Sequence, residues 1–270
     1  MLSGVFQAKK KNGTIYYRSS ITYLGKHISL GSFSSEAKAH FAYLEADHLL
    51  SHAEIKIDYF SEKKSILPFK KWIILTNFRD NGVYIKTPIY MKNKYFLYYL
   101  SPECYYIFDV DDLFYYSTHS IMKRGSHLFV SDYGMQVNIL SRYGIRNFAV
   151  PGRDYFFING NSHDFRYENI EIVNRYYGVT KKVESNIIFY DVRIHVKGNI
   201  FVGRYTDEIT AAIAYNKAVT LLAKKGIQKN FSFNYIEELT AEEYHKIFKK
   251  VKLSPNINSY QFHTKPYKEV

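Results

Sequence analysis

Side chains able to do chemistry are few and scattered in this chain. Asp109, Asp111 and Asp112 form a tight carboxylate group in Asp109-Val110-Asp111-Asp112-Leu113, which invites a metal-site reading. Acids at this spacing also suit the start of a helix, where they meet the positive end of the macrodipole, and that is the simpler account. His119 and His127 stand alone in the sequence and read as structural side chains. The single cysteine, Cys104, excludes an intramolecular disulfide framework and a Cys-rich zinc site. What the chain has in excess is positive charge. Lys and Arg number 37 against 25 Asp and Glu, a formal net charge of +12. A surplus of that size attracts phosphate backbones and is the usual electrostatic footprint of nucleic-acid binding.

The elements that must position these charges have ample material. At 270 residues, 46% hydrophobic and 23% charged, the chain can bury a core and is not a low-complexity tail. Its apolar runs, such as Trp72-Ile73-Ile74-Leu75, are far too short to span a bilayer. No basic amphipathic helix marks a membrane-surface protein. Met1-Leu2-Ser3-Gly4 lacks the charged and apolar regions of a secretion signal, so the expectation is a cytoplasmic, reducing-compartment protein. Aromatics reach 18%, with 27 Tyr and 20 Phe, a bias that an A/T-rich coding sequence would also produce.

An internal repeat organises the chain. Gly4-Val5 and Lys9-Lys10-Lys11 lead to Tyr16 through Tyr23, then Gly25 through Leu30-Gly31-Ser32-Phe33, Ser34-Ser35-Glu36, Ala42-Tyr43 and Leu49-Leu50. The same order recurs as Gly178-Val179, Lys181-Lys182, Tyr190 through Val196, Gly198 through Val202-Gly203-Arg204-Tyr205, Thr206-Asp207-Glu208, Ala214-Tyr215 and Leu221-Leu222. Two copies around an unrelated middle indicate a duplication. Each copy is expected to form three strands and a helix. Tyr17, Ser19, Ile21 and Tyr23 alternate with Arg18, Ser20 and Thr22, so one set is buried and the other faces solvent. Gly25 and Gly198 are expected to supply positive φ for tight hairpins. Ser34 and Thr206 are placed to cap helices that begin near Glu36 and Glu208. Alanines at 39, 42 and 46, and at 211, 214 and 218, let each helix sit close on its sheet and leave the opposite sheet face open. Such a three-stranded face fits a DNA major groove.

This ordered set resembles the plant-type ethylene-response-factor DNA-binding domain, also called the AP-two domain, over about Ser3–His52 and Gly178–Lys225. Members of that family read the major groove with alternating side chains of the sheet. The matching positions in the second copy are Thr180, Lys182, Arg193, His195, Asn199 and Phe201. In the first copy they are Phe6, Ala8, Ser20, Thr22, His27 and Ser29, which are poorer in charge, with Arg18, Lys26 and Lys9–Lys11 as nearby cations. Arg193 is suited to a bidentate contact with guanine. The second copy is therefore expected to contribute more of the binding.

Between the copies, Trp72–Leu75, Val83–Ile85 and Tyr95–Leu100 read as short strands, with turns at Asn81-Gly82 and Ser101-Pro102. The run from Asp154 through Asn159-Gly160, Asp164-Phe165-Arg166 and Glu168-Asn169-Ile170 to Asn174 is similar to the core of HNH homing-type endonucleases. That resemblance implies a ββα scaffold, with Asp164 and Arg166 at a helix start and Glu168-Asn169-Ile170 on the helix. The family's chemistry needs a metal-binding carboxylate, a His to activate water and an Asn to orient it. Here those positions hold Phe156, Phe157 and Phe165, and only Asn169 survives. His163 has no matching orienter. The resemblance thus implies an inactive core, with no catalytic residue, metal or cofactor, and with Arg142, Arg146, Arg153 and Arg166 as cations for a DNA backbone.

After Gly226, a helix stop, Thr240 and Glu243 stand at capping-box spacing before a helix through Lys250, and a tail with Pro255 and Pro266 is expected to wander from Ser254. The expected fold is α+β: two three-stranded antiparallel sheets, each packed on one helix, flank a central α+β domain with a degenerate HNH-like core. The expected boundaries are 1–53, 54–176, 177–226 and 227–270. The expected function is sequence-specific binding of double-stranded DNA, as a transcriptional regulator of a low-G+C bacterium or its mobile elements. An active HNH-type nuclease is one rival. A mobile-element protein that binds and inhibits another nucleoprotein is the second.

Overall fold

A computed structural model describes residues 1–227 and 229–260. It is a mixed α+β structure built from small antiparallel sheets. The chain divides into two compact units, one of Met1–Ile139 with Phe157–Ile170, the other of Leu140–Phe156 with the chain from Glu171 onward. Among the described residues no helix is long and apolar enough to cross a membrane.

The first unit opens with β1 (Val5–Lys9), β2 (Ile15–Tyr23) and β3 (Lys26–Phe33), in that spatial order, followed by α1 (Glu36–Ser51). Leu24 and Gly25 both take positive φ, 44° and 74°, as a two-residue hairpin with right-handed twist requires. Ala39, Ala42 and Ala46 are fully buried under the sheet, as their small side chains allow. The N-cap of α1 is Ser35, whose hydroxyl accepts from the Lys38 amide at 3.3 Å; Ser34, the expected cap, lies one residue too early.

Next comes α2 (Phe69–Asn81), not the strand expected at Trp72–Leu75, and Val83–Ile85 joins no strand either. Trp72 through Phe78 are all buried, so the helix shows no polar stripe in sequence, and a short apolar run does not declare its period. One core joins Ile21, Ile28 and Leu30 of the sheet, Leu49 of α1, and Trp72, Leu75 and Phe78 of α2. Two further meanders follow: β4 (Ile89–Met91), β5 (Tyr95–Ser101) and β6 (Cys104–Asp109), then β7 (Ile121–Arg124), β8 (His127–Asp132) and β9 (Met135–Asn138). Between them Asp109, Asp111 and Asp112 lead into a helical turn and α3 (Leu113–Thr118), as expected of acids at a helix start. β10 (Tyr155–Phe157) and β11 (Ile170–Ile172) form a two-stranded sheet.

The second unit contains β12 (Val179–Glu184), β13 (Ile187–His195), β14 (Asn199–Tyr205) and α4 (Glu208–Lys224). Its helix is capped by Asp207, which accepts from the Thr210 amide at 2.6 Å, not by Thr206. Gly198 does not take positive φ; the β13–β14 connection is closed instead by the Val196 amide on the Gly198 carbonyl at 3.0 Å. α5 (Ala241–Lys250) carries the expected Thr240–Glu243 capping box and packs on α4.

Over residues 254–260 the chain does not wander as expected; the remainder of the tail lies outside the described residues. The Ser254 amide donates to the Val202 carbonyl at 2.7 Å, its hydroxyl to the Phe201 carbonyl at 2.6 Å, and α6 (Pro255–Asn258) buries Ile257 completely. These bonds occupy carbonyls on the otherwise open edge of β14. Pro266 lies outside the described residues.

The two copies share their bulge and the bond that ties their opening glycine to the central strand. A bulge falls at Leu30-Gly31 in one and at Val202-Gly203 in the other. The Ser20 amide donates to the Gly4 carbonyl at 3.0 Å, and the Arg193 amide to the Gly178 carbonyl at 2.8 Å. Gly4 and Gly178 sit at φ of 73° and 71°, and a Cβ on either would overlap the ring of Tyr43 or Tyr215. The glycine and tyrosine of the repeat are therefore one steric pair, made twice.

Candidate nucleic-acid interface

In the second sheet, side chains alternate strictly along β13. Val192 and Ile194 go down onto α4, while Asp191, Arg193 and His195 go up. Cross-strand partners share a face, so Thr180 opposite Asp191, Phe201 opposite Arg193 and Asn199 opposite His195 join them. Lys182, opposite Phe189, completes the set. All six residues expected in this copy thus lie on the face away from α4. The Arg193 guanidinium sits over the Phe201 ring at 5.7 Å, and His195 Nδ1 lies 3.0 Å from the Asn199 side-chain oxygen. Lys182, Arg193, His195 and Asn199 are solvent-exposed.

Three further residues of this face, Arg204, Asp191 and Glu184, are not singled out by the sequence reading. Arg204 donates to Asp191 at 2.7 and 3.2 Å and to Glu184 at 2.7 Å, and lies 5.3 Å over the Phe189 ring. Its hydrogen bonds to Asp191 and Glu184 hold the guanidinium more firmly protonated than an ordinary Arg. The sequence does carry a signal for them: Asp191 is in phase with Arg193, and the bulge glycine resets β14 so that Arg204 returns to the same side as Phe201.

The first sheet presents Phe6, Ala8, Arg18, Thr22, His27 and Ser29 on its corresponding face. It is weaker in charge. Arg18 is folded back, donating to the Tyr16 hydroxyl at 2.8 Å and lying 5.5 Å over that ring. Two of the expected residues are placed differently from the rest. Ser20 is on this face by register but only 8% exposed, too low to reach a base edge without rearrangement. Lys26 pairs with Tyr23, whose ring packs edge-on against Phe78, so it lies on the helix-packed side, its ammonium 5.3 Å over the Tyr84 ring.

The HNH-like run forms strands, not a ββα unit. Tyr167–Asn169 is a single 3-10 turn and Ile170 begins β11, so the helix expected over Glu168–Ile170 is absent. Asn169 explains why. Its side-chain oxygen accepts the Asn159 amide at 2.8 Å and its nitrogen donates to the Asp164 carbonyl at 2.8 Å, which ties the two arms of the hairpin together. Both ends of the amide are used in backbone bonds. Asp164, 1% exposed, is gripped by Arg166 Nε and Nη2 at 2.9 and 2.7 Å and by the Asn159 amide nitrogen at 2.9 Å. Burial pushes its carboxyl up, but the Arg166 hydrogen bonds outweigh that and hold it below the ordinary range. Phe165 is buried, stacked on Phe108 at 5.5 Å and edge-on to Phe157 at 5.5 Å. Phe157 and Phe165 thus join an aromatic cluster with Phe108, while Phe156 is exposed. His163 packs its ring against Tyr106 at 4.6 Å.

The arginines expected as spare cations are largely committed. Asp154 is buried and takes Arg146 at 3.1 Å and Arg153 at 2.7 Å, with the Val150 amide at 2.8 Å and the Asn174 amide nitrogen at 3.2 Å. Arg166 belongs to Asp164, and Arg142 lies in the helical turn Ile139–Tyr143. Among the described residues no group of three or more His, Cys, Asp or Glu side chains is placed to hold a metal ion. No protein-family model, curated protein or solved structure matches the chain.

Proposed function

We propose that this chain is a cytoplasmic, sequence-specific double-stranded DNA-binding protein of the regulatory kind, which holds its target without cutting it. The observation that carries the reading is the open face of the second sheet. Lys182 and Arg193 stand exposed beside His195, Asn199 and Phe201, on a three-stranded surface whose other side is closed by α4. A twisted antiparallel ribbon is one of the shapes that enter a major groove, and Arg, Asn and Lys are the side chains that read base edges there. The first sheet repeats the scaffold with a charge-poor face, so it supports binding without matching the second in base readout. The nuclease reading finds less support, because Phe157 and Phe165 are packed as core and Asn169 is consumed by the hairpin.

Selection from a random duplex pool tests this directly. The expected result is an enriched motif bound on the order of 10³-fold more tightly than random duplex, with affinity falling steeply as salt rises. Equal affinity for every duplex would remove sequence readout, and nicking of the selected site in Mg²⁺ or Mn²⁺ would overturn the non-cutting reading.

A further inference from the structure

Beside the first sheet, α2 and the segment after it enclose a cleft of about 380 Å³ lined by Pro68, Lys70, Lys71, Ile74, Tyr84 and Lys86. Its walls are apolar and aromatic, and every charged group on them is a lysine. Lys26 adds a fourth ammonium over the Tyr84 ring. Among the described residues, none of these four lysines has a carboxylate within ion-pair distance.

That arrangement works against the local fold. Lys70 and Lys71 occupy the first turn of α2, which has no acidic residue and no side-chain cap. The positive end of a helix dipole favours anions and disfavours cations. Lys71 is also half-buried, and burial together with the neighbouring Lys70 lowers its pKa. A cluster that costs stability in the free chain, around a cleft with a flat aromatic wall, has the chemistry of an anion site.

We infer that Lys26, Lys70, Lys71 and Lys86 form a phosphate clamp that takes the phosphodiester backbone of a bound duplex at the hairpin end of the first sheet. This rests on the DNA-binding reading and supplies what that reading lacks in the first copy. The outer face there offers Arg18, tied to Tyr16, and the imidazole of His27. Lys26 is the sequence neighbour of His27 at the β2–β3 hairpin, and the two side chains leave the end of the sheet on opposite sides. Ammonium groups act as point charges on phosphate and carry no base identity. The first copy therefore grips by backbone where the second reads by bases.

The test compares the full chain with its K70Q/K71Q/K86Q variant on a fluorescent duplex carrying the selected site, over a salt series. The clamp predicts that the slope of log K against log salt becomes shallower by about 0.9 for every phosphate no longer neutralised, so by roughly 2 to 3. The order of preferred sequences should not change, and the melting temperature should hold or rise as repulsion is relieved. On the unsubstituted protein, duplex should protect Lys70, Lys71 and Lys86 from acetylation more than Lys63 and Lys64. An unchanged slope with unprotected lysines, while the parent protein binds duplex, overturns the clamp alone. Protection by inorganic phosphate or a mononucleotide without any change in duplex slope also overturns it, in favour of a small-anion site. A parent protein that ignores duplex overturns the DNA-binding reading and the clamp with it.

Discussion

At the scale of single residues, the chain separates cations that are used up in folding from those left to act. Arg79, Arg146, Arg153, Arg166, Arg175 and Arg204 are paired with carboxylates, as the planar fork of arginine suits. Arg193 is the contrasting case, exposed and lying over the Phe201 ring. Arg193→Ala should cost about 1–3 kcal/mol of binding and relax selectivity at one base position, whereas Lys182→Ala should weaken all duplexes alike. Competition binding against single-base variants of the selected site separates the two, and a uniform loss for Arg193→Ala would refute its readout role. Asp164 gives a prediction in pH. Its pKa lies below the ordinary aspartate value of 3.8 in the fold, so it binds fewer protons folded than unfolded at acid pH. Its contribution is therefore fully present above that ordinary value and is lost as pH falls through the lowered one. Asp164→Asn should lose about 1–3 kcal/mol near neutrality and show a flatter acid limb in a plot of unfolding free energy against pH. Parallel acid limbs would mean that the Arg166 pair contributes nothing to folding.

At the scale of elements, the duplication keeps its scaffold and changes how the next helix is attached. Glu45 on α1 and Lys217 on α4 are equivalent positions, each two residues after the tyrosine that meets the repeat glycine. Glu45 accepts the Ile66 and Leu67 amides at 2.8 and 3.0 Å, the Trp72 indole at 2.8 Å and the Ser65 hydroxyl, and so holds the approach to α2. Lys217 donates to the Lys249 and Val251 carbonyls at 3.1 and 2.7 Å, and so holds the end of α5. An acceptor suits the amide-rich start of a helix and a donor its carbonyl-rich end. Each side chain selects the end it can satisfy. Glu45→Ala should destabilise the first unit by about 2–4 kcal/mol, because several donors lose their acceptor at once. Hydrogen exchange should rise at residues 65–72 and stay unchanged at 249–252, with the reverse pattern for Lys217→Ala. The repeat itself is legible in sequence because its glycines, tyrosines and alanines each answer a steric need. The middle is less so. The run from Trp72 through Phe78 is buried on every side and carries no helical stripe, and Glu168-Asn169-Ile170 is turn and strand because Asn169 bonds across the hairpin. The caps are displaced by one residue, since Ser34-Ser35 and Thr206-Asp207 each offer two candidates in a row.

At the scale of the molecule, a formal charge of +12 sits largely on lysines, which number 27 of the 37 basic residues against 10 arginines. Lysine pairs less geometrically and is strongly hydrated, so this charge is available for long-range attraction more than for fixed contacts. Attraction of that kind brings any duplex close, but it does not by itself favour one sequence. Selectivity then depends on whether the two sheets engage one duplex together. Two modules on one chain convert the second binding event into an intramolecular one, with a gain of about 10²–10⁴ over either alone when geometry permits both. In the full chain, Lys182→Ala combined with Arg193→Ala disables the second face and leaves the first sheet and its lysine cleft untouched. If the sheets act together, this double variant should lose that factor on a duplex carrying the complete selected motif. On a duplex trimmed to the part bound by the first sheet, variant and parent should bind alike. Titration of both proteins against both duplexes at one fixed salt concentration decides the matter. A parent protein that binds the complete and trimmed duplexes with equal affinity would show that the copies work singly, and that the duplication serves folding or partner choice instead of an extended site.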